Sequence, residues 1–203
     1  MPPCQGAARS RGQSFQLPAC VQSVRLRVRG DNLAVCRQLC GQQSIVSKYH
    51  GSLAKTFSCL RCWGSAGICA PPNLDGYFEH VPRDGNSDAD ALANYALDFE
   101  QFGLWSRDHC LKFWSALRDG RVQLVHGSFD GAFRAGSQRA SFGAIVCATV
   151  VIQERVSIFP LYLAAQLCEG FSAYEAELRG AHHVAAAIDS LVRAAAGLVG
   201  CSM

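Results

Sequence analysis

His80-Val-Pro-Arg-Asp-Gly-Asn86-Ser-Asp-Ala-Asp90-Ala-Leu-Ala-Asn94 is the stretch on which the fold of this chain turns. It continues from Tyr77 to Val81, which reads as a short strand, and Pro82 closes that strand because proline has no N–H to give a sheet ladder. Asp88 to Leu97 reads as a helix, with Ala91, Leu92, Tyr95 and Ala96 forming its inner face. Two acids, Asp88 and Asp90, fall in its first turn, where the helix dipole favours negative charge. His80 thus ends a strand, and Asp90, ten positions on, opens a helix.

Upstream, Val24, Leu26 and Val28 alternate with Arg25, Arg27 and Arg29, the period of a half-buried strand. Gly30-Asp31-Asn32 ends it, and Leu33 to Leu39 reads as a short helix stopped by Gly41. Apolar residues at Ile45, Tyr49, Leu53 and Phe57 predict a second helix over 45–60, followed by a Gly-, Ala- and Pro-rich loop from Gly64 to Pro72. Downstream, residues 99–121 carry Phe102, Trp105, Phe113 and Trp114, too aromatic for a flexible linker, and Cys110 to Leu117 reads as an amphipathic helix. After Gly120 the texture turns to strands, at Val122 to Phe129, Ala140 to Ile152 and Val156 to Gln166. Ser172-Ala-Tyr-Glu175 fits a capping box that opens a long Ala-rich helix to about Ala196.

The 203 residues are 49% hydrophobic and 17% charged, a composition for one globular domain and too apolar for a disordered chain. No run approaches the ~18 apolar residues of a membrane span. Met1 to Phe15 is Gly-, Ser- and Arg-rich, without the apolar core of a secretory signal. The expectation is a soluble intracellular protein of cytoplasm or nucleus, an organelle being the alternative that an Arg/Ser-rich, acid-poor start allows. Eleven cysteines in such a compartment read as reduced, small buried hydrophobes. A net charge of +3 says nothing of partners by itself, but the first thirty residues hold five arginines and no acid.

Two segments resemble the ribonuclease H superfamily, in the reverse of its order. Ser128-Phe-Asp130-Gly131-Ala-Phe133, followed by Ala140-Ser-Phe-Gly-Ala-Ile-Val146, is similar to that family's opening hairpin. Tyr174-Glu-Ala-Glu177-Leu-Arg-Gly-Ala181 is similar to the start of its first helix, with Glu177 in the family's ligand position and Glu175 the lesser candidate. Val28-Arg-Gly-Asp31 through Gly41 resembles the fourth strand and the helix after it, and His80 through Asn94 resembles the last strand and last helix, with Asp88 one step off the register that selects Asp90. The resemblance implies an α/β domain with a mixed five-stranded sheet, circularly permuted. Its parts are a leader at 1–21, the C-terminal half at 22–98, a connection at 99–121 and the N-terminal half at 122–198. The strand near Val24 is expected to pair in parallel with the one near Val122. The connection reaches up to ~75 Å when extended, enough for the halves to fold together, or to exchange between two copies as a domain-swapped homodimer.

By the same resemblance Asp130 bridges two Mg²⁺ ions, for which Mn²⁺ substitutes. Glu177 and Asp31 hold one ion, Asp90 the other, and His80 assists proton transfer or product release. A carboxylate cage suits a hard cation that keeps part of its water, and two such ions stabilise the attacking and leaving oxygens of a phosphodiester. The implied substrate is the RNA strand of an RNA/DNA hybrid, sensed through 2′-hydroxyls and groove shape. Arg25, Arg27, Arg29, Arg83 and Arg134, with Asn32, Asn86 and Gly131, are the candidate nucleic-acid contacts, arginines supplying the backbone charge.

Taken singly, these residues have plainer readings. Asp31 alone reads as a helix cap, Asp90 as a dipole partner, Glu177 as a solvated helix residue, Asp130 as a turn residue before Gly131, and the arginine stripe as a solvated strand face. Two other functions stay open: a catalytically silent nucleic-acid-binding module or slice of a tandem array, and a Cys-rich zinc-binding interaction domain using Cys59-Leu-Arg-Cys62 with Cys40, His50 and Cys69 nearby. Asp189-Ser190 imitates the third-ligand motif but lies within the helical run.

Overall fold

The computed structural model describes residues 24–44, 51, 54–59, 77–168 and 172–200, side chains being included up to residue 195 in the last helix. The first element is strand β1 (Arg25–Gly30), followed by helix α1 (Leu33–Leu39) and strand β2 (Phe78–His80). A 3₁₀ turn at Arg83–Asn86 leads into α2 (Ser87–Asp98). Strand β3 (Phe102–Trp105) and α3 (Arg107–Arg118) follow, then strands β4 (Val122–Arg134), β5 (Arg139–Ile152) and β6 (Arg155–Cys168), and last α4 (Ala173–Gly200). One mixed sheet has the order β2-β1-β4-β5-β6-β3. It has six strands where five are expected. The additional strand is β3, whose Phe102 to Trp105 adds antiparallel to Tyr162–Ala165 of β6, so the connecting segment is built into the sheet. The predicted helix over 45–60 falls partly outside the described residues; 54–59 are helical.

β1 lies second from one edge of the sheet and joins β2 to β4. Leu26 and Val28 are buried between more exposed arginines, as the alternation predicts. The strand pairs in parallel with β2 on one side and with β4 on the other, Arg25 opposite Leu124 and Arg29 opposite Ser128. β4 and β5 then run antiparallel over their whole length, with Asp130 opposite Gly143. β6 carries Pro160 where the β5–β6 register shifts between Val146 and Cys147, a site where a missing N–H does little harm.

The two faces of the sheet are covered differently. Gly127, Phe129 and Gly131 lie on the face covered by α4, whose Ala181, Val184, Ala185 and Ile188 are buried. A Cβ on Gly131 would sit 2.3 Å from the backbone nitrogen of Glu177, so only glycine lets α4 approach this closely. On the opposite face a Cβ on Gly143 would lie 2.1 Å from the carbonyl oxygen of Ala89 in α2. That close approach selects the buried face of α2: Ala89, Ala93, Ala96 and Leu97 face the sheet, where the sequence pattern points to Ala91, Leu92, Tyr95 and Ala96. Small alanines fit against Gly143 and Ser141, whose hydroxyl donates to the Ala93 carbonyl, while Tyr95 turns outward against Phe99 and Phe102. Burial of Phe129, Leu161, Leu178 and Ile188 at the centre contributes about 1.5–3 kcal/mol for each side chain. Among the described residues no helix is long and apolar enough to cross a membrane.

Candidate metal centre

Three acids from three elements meet at one end of the β1–β4 seam. Asp31 follows β1 directly, Asp130 stands in β4 and Glu177 in the first turns of α4, and one carboxylate oxygen of each lies within 4.8 Å of the other two. Asp130 and Glu177 are each only 5% exposed. Burial and the neighbouring acids both favour the neutral form of a carboxyl. For Glu177 burial is the larger cause, followed by the charges of Asp130 and Asp31, and its carboxyl is pushed well above the usual range. Asp130 is raised too, by burial first, then by Asp31 and by Asp90. Asp90, in the first turn of α2, comes close enough to Asp130 for their carboxyls to share a hydrogen bond, but it lies outside the tight set of three.

Two asparagines orient the acids. Asn86 is buried, donating to Asp31 Oδ1 at 3.3 Å and to the Phe129 carbonyl at 2.9 Å. It therefore ties the 3₁₀ turn before α2 to the ends of β1 and β4. Asn32 caps α1, its Oδ1 accepting from the Val35 N–H at 3.2 Å, and its side chain also hydrogen-bonds the Glu177 carboxyl. The cap of α1 is therefore Asn32, and Asp31 is left for the cluster. Both asparagines, expected on the nucleic acid, bond within the centre, Asn86 buried and Asn32 half-buried. Gly131, likewise expected as a contact, serves the approach of α4.

The remaining candidates lie around this centre. His80, exposed at the end of β2, places Nε2 3.1 Å from the Asp31 carbonyl oxygen. Because a carbonyl only accepts, Nε2 is the nitrogen that donates there. Arg83 pairs with Asp90 at 3.2 Å from an exposed position, and Arg134 pairs with Asp98. Arg27 and Arg29 both bind Glu79 of β2 at 3.2 Å, so two of the three stripe arginines share one carboxylate; Arg25 is exposed. Glu175 pairs with Arg179 and Asp189 with Arg193, both outside the centre.

Hard oxygen donors, clustered without a cation of the chain among them, suit Mg²⁺ or Mn²⁺. Glu177 Oε2 is buried without a hydrogen-bond partner, as a ligand atom awaiting a cation would be. Asp31, Asp130 and Glu177 are the only such group of metal-binding side chains among the described residues. Cys59 and Cys40 belong to none, while His50, Cys62 and Cys69, named for the zinc alternative, lie outside those residues. No protein-family model matches the chain, and no curated protein sequence matches it.

Proposed function

We propose that the chain is a divalent-metal-dependent nuclease of the ribonuclease H type, its halves in permuted order, that hydrolyses the RNA strand of RNA/DNA hybrids. One observation carries the reading: acids on either side of the 99–121 connection, Asp31 before it and Asp130 and Glu177 after it, form one buried cluster, with Asp90 beside it. Such a cluster works against folding unless something uses it, because each like-charged pair repels. The parallel β1–β4 pairing, expected if the halves form one domain, adds support.

A divalent cation held by Asp31, Asp130 and Glu177 would supply positive charge to the reacting phosphodiester oxygens. Asp130 would be the central ligand, since Asp31 and Asp90 act on its carboxyl and it acts on that of Glu177. Asn86 and Asn32 fix the carboxyls of Asp31 and Glu177, so the cage is oriented before any ligand enters. His80 stands at the rim with Nε2 on the Asp31 carbonyl, its imidazole placed to move a proton to or from a group lying over Asp31. Arg25 is available to a phosphate at once, whereas Arg27 and Arg29 exchange Glu79 for it.

The test is cleavage of an end-labelled RNA/DNA hybrid by the purified chain with Mg²⁺, with Asp130→Asn alongside. Cleavage that the substitution abolishes supports the proposal, and no cleavage by folded, Mg²⁺-binding protein overturns it. A second reading rests on Asp90, which stands outside the tight set and is tied to Arg83: a silent module would bind the hybrid and leave it intact.

A further inference from the structure

A cleft of about 380 Å³ lies between α4, the C-terminal end of β6 and the helical residues 54–59. Lys55, Arg179, His182 and His183 supply its polar wall, and Phe142 and Cys168 contribute to the rest. Arg179, His182 and His183 project roughly 140–240° around the α4 axis from Glu177 at 100° per residue, so the cleft is separate from the carboxylate centre.

Its chemistry is that of an oxyanion receptor. His183 is held by the Tyr162 hydroxyl at 2.6 Å and packs against Phe142, which fixes the ring at the wall. The Arg179 Nη2 donates to Glu175 Oε1 at 3.3 Å. Arg179 Nε and His182 Nδ1 are buried with no hydrogen-bond partner. An unsatisfied buried polar group costs about 1–3 kcal/mol, and both of these belong to side chains that line the hollow. Burial keeps both imidazoles below their ordinary range, the nearby Lys55 adding to the effect at His182. They are therefore N–H donors without added charge, and Lys55 and Arg179 are the cations, Arg179 sharing its charge with Glu175.

The walls exclude other ligand classes. Two fixed cations repel a metal ion, and Cys168, His182 and His183 belong to no metal-binding group. A purely apolar ligand would leave the polar wall unpaired. A planar carboxylate offers two oxygens, whereas the polar side chains come from two elements, α4 and the helical residues 54–59, so a group with more oxygens can use both. Arginine's forked donors and lysine's point charge are the pair that phosphate recognition uses. We propose that this cleft binds a phosphoryl group, with room beside it for the organic part of a phosphorylated ligand.

The proposal stands independently of the nuclease reading. The test is NMR titration of the His182 and His183 imidazole resonances in the full chain, without Mg²⁺, using inorganic phosphate as the probe. Saturable shifts are expected, with affinity falling about tenfold in Arg179→Gln, the equivalent of ~1.4 kcal/mol. Exposed Lys55→Gln is expected to weaken binding severalfold and, on the surface, to leave folding intact. Arg179→Lys, which keeps the charge and loses the fork, is expected to recover part of the loss. A single-stranded oligonucleotide forms the second arm. If it moves the same resonances and phosphate competes with it, the phosphoryl group is that of a nucleic-acid backbone. If phosphate alone moves them, the ligand is a free phosphorylated molecule. No saturable shift up to ~50 mM phosphate, a weak millimolar-range limit, overturns the proposal, and so does unchanged affinity in both Lys55→Gln and Arg179→Gln.

Discussion

Asp130→Asn removes one charge from the cluster at almost constant volume, and its largest effect on the metal-free protein is expected to be stabilisation. At oxygen separations of up to 4.8 Å, two like charges repel by roughly 3–4 kcal/mol at an effective dielectric constant of about 20. The folded protein avoids part of this by keeping protons: the Asp130 carboxyl is raised from 3.8 to about 7 and that of Glu177 from 4.5 to about 9. Both folded values lie above the unfolded ones, so the native state binds more protons and loses stability as pH rises from about 4 through these values. At pH 8 the full Asp130 shift would correspond to ~4 kcal/mol, and sharing of protons between coupled groups brings the expected penalty to about 2 kcal/mol. For a domain of this size that is a rise in Tm of about 4–8 °C for Asp130→Asn at pH 8 in a chelator, shrinking towards zero near pH 4. Mg²⁺ at a hundred times its Kd is expected to stabilise the unsubstituted protein by about 2.7 kcal/mol and to do far less for the variant. The assay is thermal unfolding by circular dichroism across pH, with chelator or Mg²⁺. A variant less stable than the unsubstituted protein at pH 8, and more so than at pH 4, would refute the like-charge reasoning.

Asn86→Ala is expected to lose about 2–3 kcal/mol in urea unfolding, since it leaves the Phe129 carbonyl and Asp31 without their buried donor, and to weaken Mg²⁺ binding measured by calorimetry. Gly143→Ala is expected to destabilise by about 1–3 kcal/mol or more through overpacking, because its new methyl meets the α2 backbone at 2.1 Å; an unchanged Tm would show that α2 can move away from the sheet. Glu79→Gln is expected to change stability by less than about 1 kcal/mol, as partly exposed ion pairs do. It also releases Arg27 and Arg29, so hybrid affinity should rise with a steeper salt dependence, and an unchanged salt slope would remove those arginines from the interface.

Much of this was legible because short-range signals sufficed. Alternation of arginine and aliphatic residues marks β1, Gly41 ends α1, and the Ser172 hydroxyl accepts from the Glu175 N–H as a capping residue should. The carboxylates are named by the resemblance alone, each having a plainer reading by itself, and Asp31, Asp130 and Glu177 do converge. What stayed hidden depends on partners far away in sequence. β3 is four residues long and includes Gly103, which lies beneath the Tyr162 hydroxyl; nothing local marks it as a strand. Gly131 reads as a turn, yet β4 runs through it to Arg134, because the glycine answers to α4 and not to a bend. The pairing of Arg27 and Arg29 with Glu79, about fifty positions on, was likewise invisible, as were the bonds of Asn32 and Asn86 to the acids.

The parallel seam between β1 and β4 also governs how the chain must come off the ribosome. Its partners stand about a hundred residues apart, Arg25 against Leu124, the kind of distant pairing that slows folding. Until the second half has been synthesised, one edge of β1 has no neighbour, and Leu26 and Val28 lack the sheet and α4 that bury them. At ~5–20 residues per second that interval lasts several seconds or more, so the nascent first half is the species most prone to aggregate. Expression yield should respond to holdase chaperones acting early, before the centre can exist at all.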